Sequence, residues 1–175
     1  MGRAMAENER TRTREREAPK LDSYEKQLRA RKEFQDRQMM GPVVIRSTDR
    51  EFALTRQAHL KYYLDPQAFK DTPLQDWLVF VNDVKKHSGK HRHQGGLVIY
   101  VIEGRGYSIV DDERVEWEAG DLLLLPIKPN GVVHQHFNDA PGEPCVWIAF
   151  CHMPIMDYVS MEMTQIEAMP EFKEG

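Results

Sequence analysis

Beyond Pro42 the sequence breaks into short apolar runs, each closed within a few residues by Gly, Pro or Asp. Phe52, Leu54, Ala58, Leu60, Tyr62 and Leu64 fall on one parity, with Thr55, Gln57, His59 and Lys61 between them. Such alternation describes a half-buried strand or strand pair, since successive side chains on a strand point to opposite faces. Asp65-Pro66 closes that run. Leu74 to Val84 is apolar on both parities, as an inner strand requires, and His91 to Glu103 reads as another strand, ended by Gly104-Arg105-Gly106. Tyr107–Val110 and Arg114–Trp117 flank Asp111-Asp112-Glu113 as a hairpin; Leu122 to Pro126, Val132 to Phe137 and Cys145 to Cys151 complete the series. Many short strands at regular spacing, without an internal repeat, predict one all-β sandwich or jelly-roll barrel over residues 43–152.

Residues 1–40 follow other rules. Residues 1–20 are charged and nearly devoid of large apolar groups, so they are expected to be a mobile tail. Residues 21–42 favour a helix and linker: Asp22 or Ser23 can cap it, Leu21, Tyr24 and Leu28 form a short stripe, and Gly41-Pro42 ends it. A C-terminal extension, 153–175, carries five methionines between Met153 and Met169, which suits adaptable packing or a dimer contact.

Charge is distributed unevenly. Residues 1–40 hold 11 Lys/Arg against 8 Asp/Glu, leaving 13 against 20 in the rest, so a body at −7 follows a leader at +3. An acidic body argues against nucleic acid as the main partner, because phosphate contacts need clustered cations. No apolar run approaches the roughly 20 residues of a membrane span, and the N-terminus lacks the apolar stretch of a secretory signal; a cytoplasmic location is expected. Cys145 and Cys151 end one apolar run, too far apart along a strand to bridge, and are expected to be reduced and buried.

The chemistry lies in the histidines. Four of the seven form two H-x-H pairs, His91-Arg92-His93 and His134-Gln135-His136. On a strand each pair presents two imidazoles to one face, and two pairs facing one cavity supply three or four neutral nitrogens for a metal. The stretch from His91 through Gly104-Arg105-Gly106 resembles the first motif of the cupin superfamily. Gly120-Asp121 through Pro126 to Gly131-Val-Val-His134-Gln-His-Phe-Asn138 resembles the second. The resemblance implies a cupin jelly-roll β-barrel with an N-terminal helix, and His91, His93 and His134 as metal ligands.

Cupins usually carry a glutamate four residues after the second histidine; here Leu97 stands in its place. Leu97 shares parity with His91 and His93, so it is expected to face the same cavity without ligating. A three-histidine set with an apolar residue there, and an H-x-H-x-N ending, is similar to the gentisate and salicylate group of aromatic-ring dioxygenases. That resemblance implies one divalent ion, Fe(2+) first, with Zn(2+), Mn(2+), Ni(2+) and Cu(2+) as alternatives, acting with O2 on a small hydroxylated, aromatic carboxylic acid. Non-redox metal chemistry (lyase, decarboxylase or isomerase) and simple ligand binding are the competing readings. Without the carboxylate the site keeps the ion's full charge, which favours an anionic chelator.

His136, one pleat beyond His134, is expected to reach a bound substrate as an acid/base group, with an extra metal ligand and a packed bystander as the alternatives. Arg56 falls on the apolar parity of residues 52–64, where an unpaired charge is costly. It is a fork for a substrate carboxylate, a structural ion pair, or turned outward by a bulge. Tyr62 shares that parity and either orients substrate or packs. His59 and His87 read as surface residues, and Trp117, Trp147 and the Leu122–Leu125 run as core. The expected assembly is a homodimer with residues 21–40 at or beside its interface.

Overall fold

The computed structural model describes residues 22–173. The described residues fall into two units, 22–40 and 41–173. In the first, α1 (Ser23–Met40) begins where the Asp22 side chain accepts the Glu25 amide N–H at 2.8 Å. This leaves the first turn with a satisfied donor. Arg29–Glu33 and Lys32–Asp36 add exposed i,i+4 pairs, each contributing a few tenths of a kcal/mol. No residue of α1 is buried; Tyr24 and Leu28, from the expected stripe, are exposed, while Leu21 and the tail 1–20 lie outside the described residues.

The second unit is a sandwich of two antiparallel sheets. The first sheet has the order β1 (Ala53–Leu54), β2 (His59–Leu64), β3 (Trp77–Asp83), β10 (Val146–His152), β5 (Leu97–Glu103) and β8 (Leu122–Leu125). The second runs β11 (Thr164–Glu167), β4 (Lys90–His93), β9 (Val132–Asn138), β6 (Arg105–Val110) and β7 (Glu113–Glu118). This is the expected all-β architecture. Ile99, Val101, Trp117, Leu123, Leu125, Trp147, Ala149 and Met156 are buried in the main apolar cluster. Cys145 and Cys151 are free thiols in the same cluster.

Phe52 to Leu64 forms the strand pair of the two expected alternatives, a hairpin with Thr55–Ala58 as its turn: the Thr55 hydroxyl donates to the Ala58 carbonyl and accepts the Ala58 N–H. Three local outcomes differ from the expected strands. His91 to Glu103 is two strands in different sheets, because Gly95 and Gly96 take φ of +89° and +78° and swing the chain across. A side chain at Gly95 would place its Cβ 1.9 Å from the Pro126 carbonyl oxygen, so only glycine fits this crossing. The Leu122–Leu125 run is buried on one face only: Leu123 and Leu125 point inward, while Leu122 and Leu124 are each 62% exposed. Finally, residues 153–167 build a short helix, α2 (Met153–Tyr158), and the edge strand β11, which pairs with β4.

Among the described residues no helix is long and apolar enough to cross a membrane.

Candidate metal centre

β4 and β9 run antiparallel with His91 opposite His134 and His93 opposite Val132. The period of two on each strand turns His91, His93, His134 and His136 to the interior face, where all four are buried. One ring nitrogen from each of His91, His93 and His134 lies within 4.8 Å of the other two, an arrangement that can hold a metal ion. Backbone groups fix each ring. His91 Nδ1 pairs with the Gly89 carbonyl at 3.3 Å, His134 Nδ1 with the Val132 carbonyl at 3.2 Å, and the Gly95 N–H donates to His93 Nδ1 at 3.0 Å. An Nδ1–H held by a carbonyl leaves the Nε2 lone pair of His91 and of His134 available to an ion.

Electrostatics keep these rings neutral. Burial, with the neighbouring His91, pushes His93 down to about 4; burial also lowers His91 and holds His134 well below the usual imidazole value. Neutral imidazole is the form that ligates metal, so His91 and His134, each with Nδ1–H held by a carbonyl, need lose no proton first. His136 is pushed down to about 3 by burial and then by His91 and His93.

His136 stands outside the three-histidine group, its ring 5.4 Å from that of His134 and 5.0 Å from the Trp147 indole. Ser88 pins its backbone, with Ser88 Oγ accepting the His136 N–H at 2.9 Å and the Ser88 N–H donating to the His136 carbonyl at 2.8 Å.

The histidines open on a cavity of about 240 Å³. Tyr62, Phe80, Leu97, Trp147 and four methionines, Met153, Met156, Met161 and Met163, line it with them. Leu97 faces the metal group, as its parity predicts. Tyr62 packs against Phe80 at 5.6 Å, and burial, with Asp65 and Cys151 adding, raises its phenol so that it stays protonated. Cys151 also reaches the cavity, but burial drives its thiol up to about 12, which removes it as a nucleophile.

Arg56 is not brought to this cavity. It lies in the β1–β2 turn, exposed, with its guanidinium 5.7 Å from the Phe172 ring, because the turn interrupts the parity that would have carried it inward. His59 and His87 are half-buried: His59 sits 3.6 Å from Asp83, and His87 contacts Gln135.

Sequence reasoning passed over Asn82 and Trp147 as cavity residues. They are register partners on β3 and β10, and Asn82 Oδ1 and Trp147 Nε1 are buried without a hydrogen-bond partner among the described residues. The available signal was a polar residue inside the apolar Leu74–Val84 run, since buried polar groups are normally satisfied. None of the described residues that line the cavity carries a formal charge.

With paired histidines on neighbouring strands of a two-sheet barrel, residues 79–151 match the family described as "Cupin domain". The chain carries a cupin domain. It is 37% identical over 70 residues to a gentisate 1,2-dioxygenase from Ralstonia sp, covering 39% of this chain and 19% of that one. A 1-hydroxy-2-naphthoate 1,2-dioxygenase from Nocardioides sp. is 27% identical over 79 residues, 45% of this chain and 20% of the relative. The cupin chain thus spans about a fifth of the length of these distant homologues. Among solved structures, a variant of salicylate 1,2-dioxygenase from Pseudoaminobacter salicylatoxidans in complex with gentisate superposes with TM-score 0.51 at 18% identity, over 83% of this chain and 38% of that one. Streptomyces PAC13 with uridine gives TM-score 0.52 at 15% identity, over 75% and 96%. At these identities the likeness is one of fold.

Proposed function

We propose that this cupin is a mononuclear metal-dependent dioxygenase that acts with O2 on a small hydroxylated aromatic carboxylic acid, with Fe(2+) as its metal. The observation that carries the reading is a neutral three-histidine group facing an apolar, aromatic-lined cavity, with the apolar Leu97 beside the histidines. Distant homologues of the chain are ring-cleaving dioxygenases of hydroxylated aromatic acids, which supports the reading.

His91, His93 and His134 would hold the ion. When bound, it supplies the redox chemistry that a closed-shell aromatic acid needs in order to react with O2, and a positive charge that attracts the acid's oxygens. The protein's own share is positioning and exclusion. Phe80, Trp147 and Tyr62 offer flat apolar surface to an aromatic ring, and the methionines adapt to its outline and exclude water. Because the described lining has no cationic side chain, the substrate carboxylate must be met at the metal centre and by neutral donors such as the Tyr62 hydroxyl. That restricts the productive pose to one with carboxylate and hydroxyl turned toward the histidines and the ring toward Phe80 and Trp147.

Anaerobic metal analysis followed by an O2-uptake screen against hydroxybenzoates tests this reading. Iron at about one per chain, with O2 consumed only when a hydroxybenzoate is present, is the expected result. A protein that takes up Zn(2+) or Mn(2+) and, reloaded with Fe(2+), stays silent toward O2 with every acid would instead be a non-redox metal cupin.

A further inference from the structure

Behind the cavity, Ser108, His136 and Trp117 form a closed chain of hydrogen bonds. Ser108 on β6 is the register partner of His136 on β9, and its Oγ lies 2.7 Å from His136 Nδ1. From the other side the Trp117 indole N–H donates to the same oxygen at 2.9 Å. Trp117 reaches Ser108 across Gly106, where a Cβ would stand 2.5 Å from the indole ring. Ser108 is wholly buried, and His136 and Trp117 nearly so.

One arrangement of protons satisfies both the Ser108 hydroxyl and the Trp117 indole N–H. An indole nitrogen can only donate, so one lone pair of Ser108 Oγ is committed to Trp117. The hydroxyl proton then needs an acceptor, and the one other polar atom recorded against Oγ is His136 Nδ1. Were Nδ1 protonated, Oγ would accept twice and its own proton would be stranded in the interior, which buried hydroxyls avoid. With Nδ1 accepting, a neutral imidazole carries its proton on Nε2. His136 lines the cavity beside the three-histidine group, and with Nδ1 taken up by Ser108 it is Nε2 that is left to meet a ligand there.

We propose that Ser108 is a positioning residue that fixes His136 with its proton on Nε2, so that the ring offers a hydrogen-bond donor, not a lone pair, to an anionic oxygen in the cavity. The ligand class rests on the function proposed above; the tautomer does not. In this state His136 is neither a fourth ligand through Nε2 nor a base that collects the substrate's hydroxyl proton. It selects a substrate whose acceptor oxygen already lies at the metal centre, and its Nε2–H stabilises negative charge that grows on that oxygen by hydrogen bonding, without giving up the proton.

Long-range 1H–15N correlation on the full-length, metal-free protein labelled with 15N-histidine reads the tautomer directly, without a variant and without turnover. The expected spectrum shows His136 protonated on Nε2 and bare on Nδ1; protonation on Nδ1 overturns the proposal. Ser108→Ala should lose this preference and Ser108→Thr should restore it, whereas an Ala variant with an unchanged His136 tautomer shows that Ser108 does not set it. In the Zn(2+)-loaded protein, salicylate should bind about tenfold more weakly to Ser108→Ala than to wild type or Ser108→Thr, as loss of a hydrogen bond to a charged group implies. Equal affinity in the Ala variant and wild type would overturn the donor role. Failure of salicylate to bind the wild type would overturn the substrate class and leave the spectrum to decide the tautomer.

Discussion

His91 lies directly opposite His134 in the β4–β9 register, with ring centroids 4.2 Å apart and planes at 65°. Two segments distant in sequence are thereby locked into one nitrogen cluster by backbone hydrogen bonds between neighbouring strands. β9 is the central strand of its sheet, with β4 on one side and β6 on the other, so the cluster sits where strand motion is most restricted.

Removal of one ring from this cluster should remove the metal. His93→Ala is expected to bring metal content of the purified protein close to zero, while His87→Ala, altered outside the cluster, should retain about the wild-type content. Elemental analysis of both variants checks this. Equal content in the two would show that the cluster is not the metal site.

Leu97 tests the other half of the site. Leu97→Glu places a carboxylate among neutral imidazoles in a buried cavity, which without an ion costs on the order of several kcal/mol. The metal-free variant should therefore melt lower than wild type and gain more from added Zn(2+), since ligand binding to the folded state adds stability that grows with the logarithm of affinity. Any dioxygenase activity should fall, because the extra anion reduces the charge that draws an acid substrate. Thermal melts with and without metal read the first effect, and O2 uptake the second.

The neutral histidines impose a pH dependence on the metal-free fold. In the unfolded chain each imidazole binds a proton near pH 6.5, whereas in the folded chain burial delays this to about 4 at His93 and about 3 at His136. The unfolded state thus binds more protons below pH 6.5. The stability these groups contribute is fully present above that value and is lost as pH falls toward 4 and 3. Urea melts at pH 7 and pH 5 should show wild type losing about 2 kcal/mol more than His136→Asn, which lacks one such group. Identical losses in the two proteins would mean that His136 titrates normally.

The histidine cluster was legible because it needs only local geometry: H-x-H on a strand fixes a common face wherever the strand goes. The same rule placed Leu97 in the cavity even though Gly95-Gly96 carries the chain to the other sheet. Arg56 failed by that rule, because the parity of Phe52 to Leu64 ignored a four-residue turn whose only mark was Thr55. β11 is four residues of mixed polarity, Thr-Gln-Ile-Glu, and owes its strand to the free edge of β4 and not to its own pattern. The Trp117–Ser108–His136 chain joins three strands and rests on which side-chain atoms meet, information that no spacing carries.

Assembly follows from the outer face of the first sheet. On β5, Val98, Tyr100 and Ile102 point outward and are each more than 40% exposed, and the register sets Val98 beside Leu124 and Tyr100 beside Leu122. Across the other edge of β5, Val98 neighbours Phe150 and Tyr100 neighbours Ile148. An apolar face continuous over three strands is larger than scattered surface hydrophobics and marks an interaction surface. A second copy of the chain turned by a two-fold axis covers it with the same residues, the closure most soluble homo-oligomers use. The predicted state is a homodimer through this face, with about 800 Å² buried on each chain. Residues 21–40 are predicted to strengthen the dimer, since an isolated helix of this length with no buried residue is marginal in water. Sedimentation of the full-length protein at micromolar concentration should give a dimer, and the double variant Leu122→Lys/Leu124→Lys a folded monomer. A chain beginning at Gly41 should dimerise more weakly. A full-length monomer would eliminate the dimer, a dimeric double variant would move the interface away from β8, and undiminished dimerisation from Gly41 would take the helix out of it.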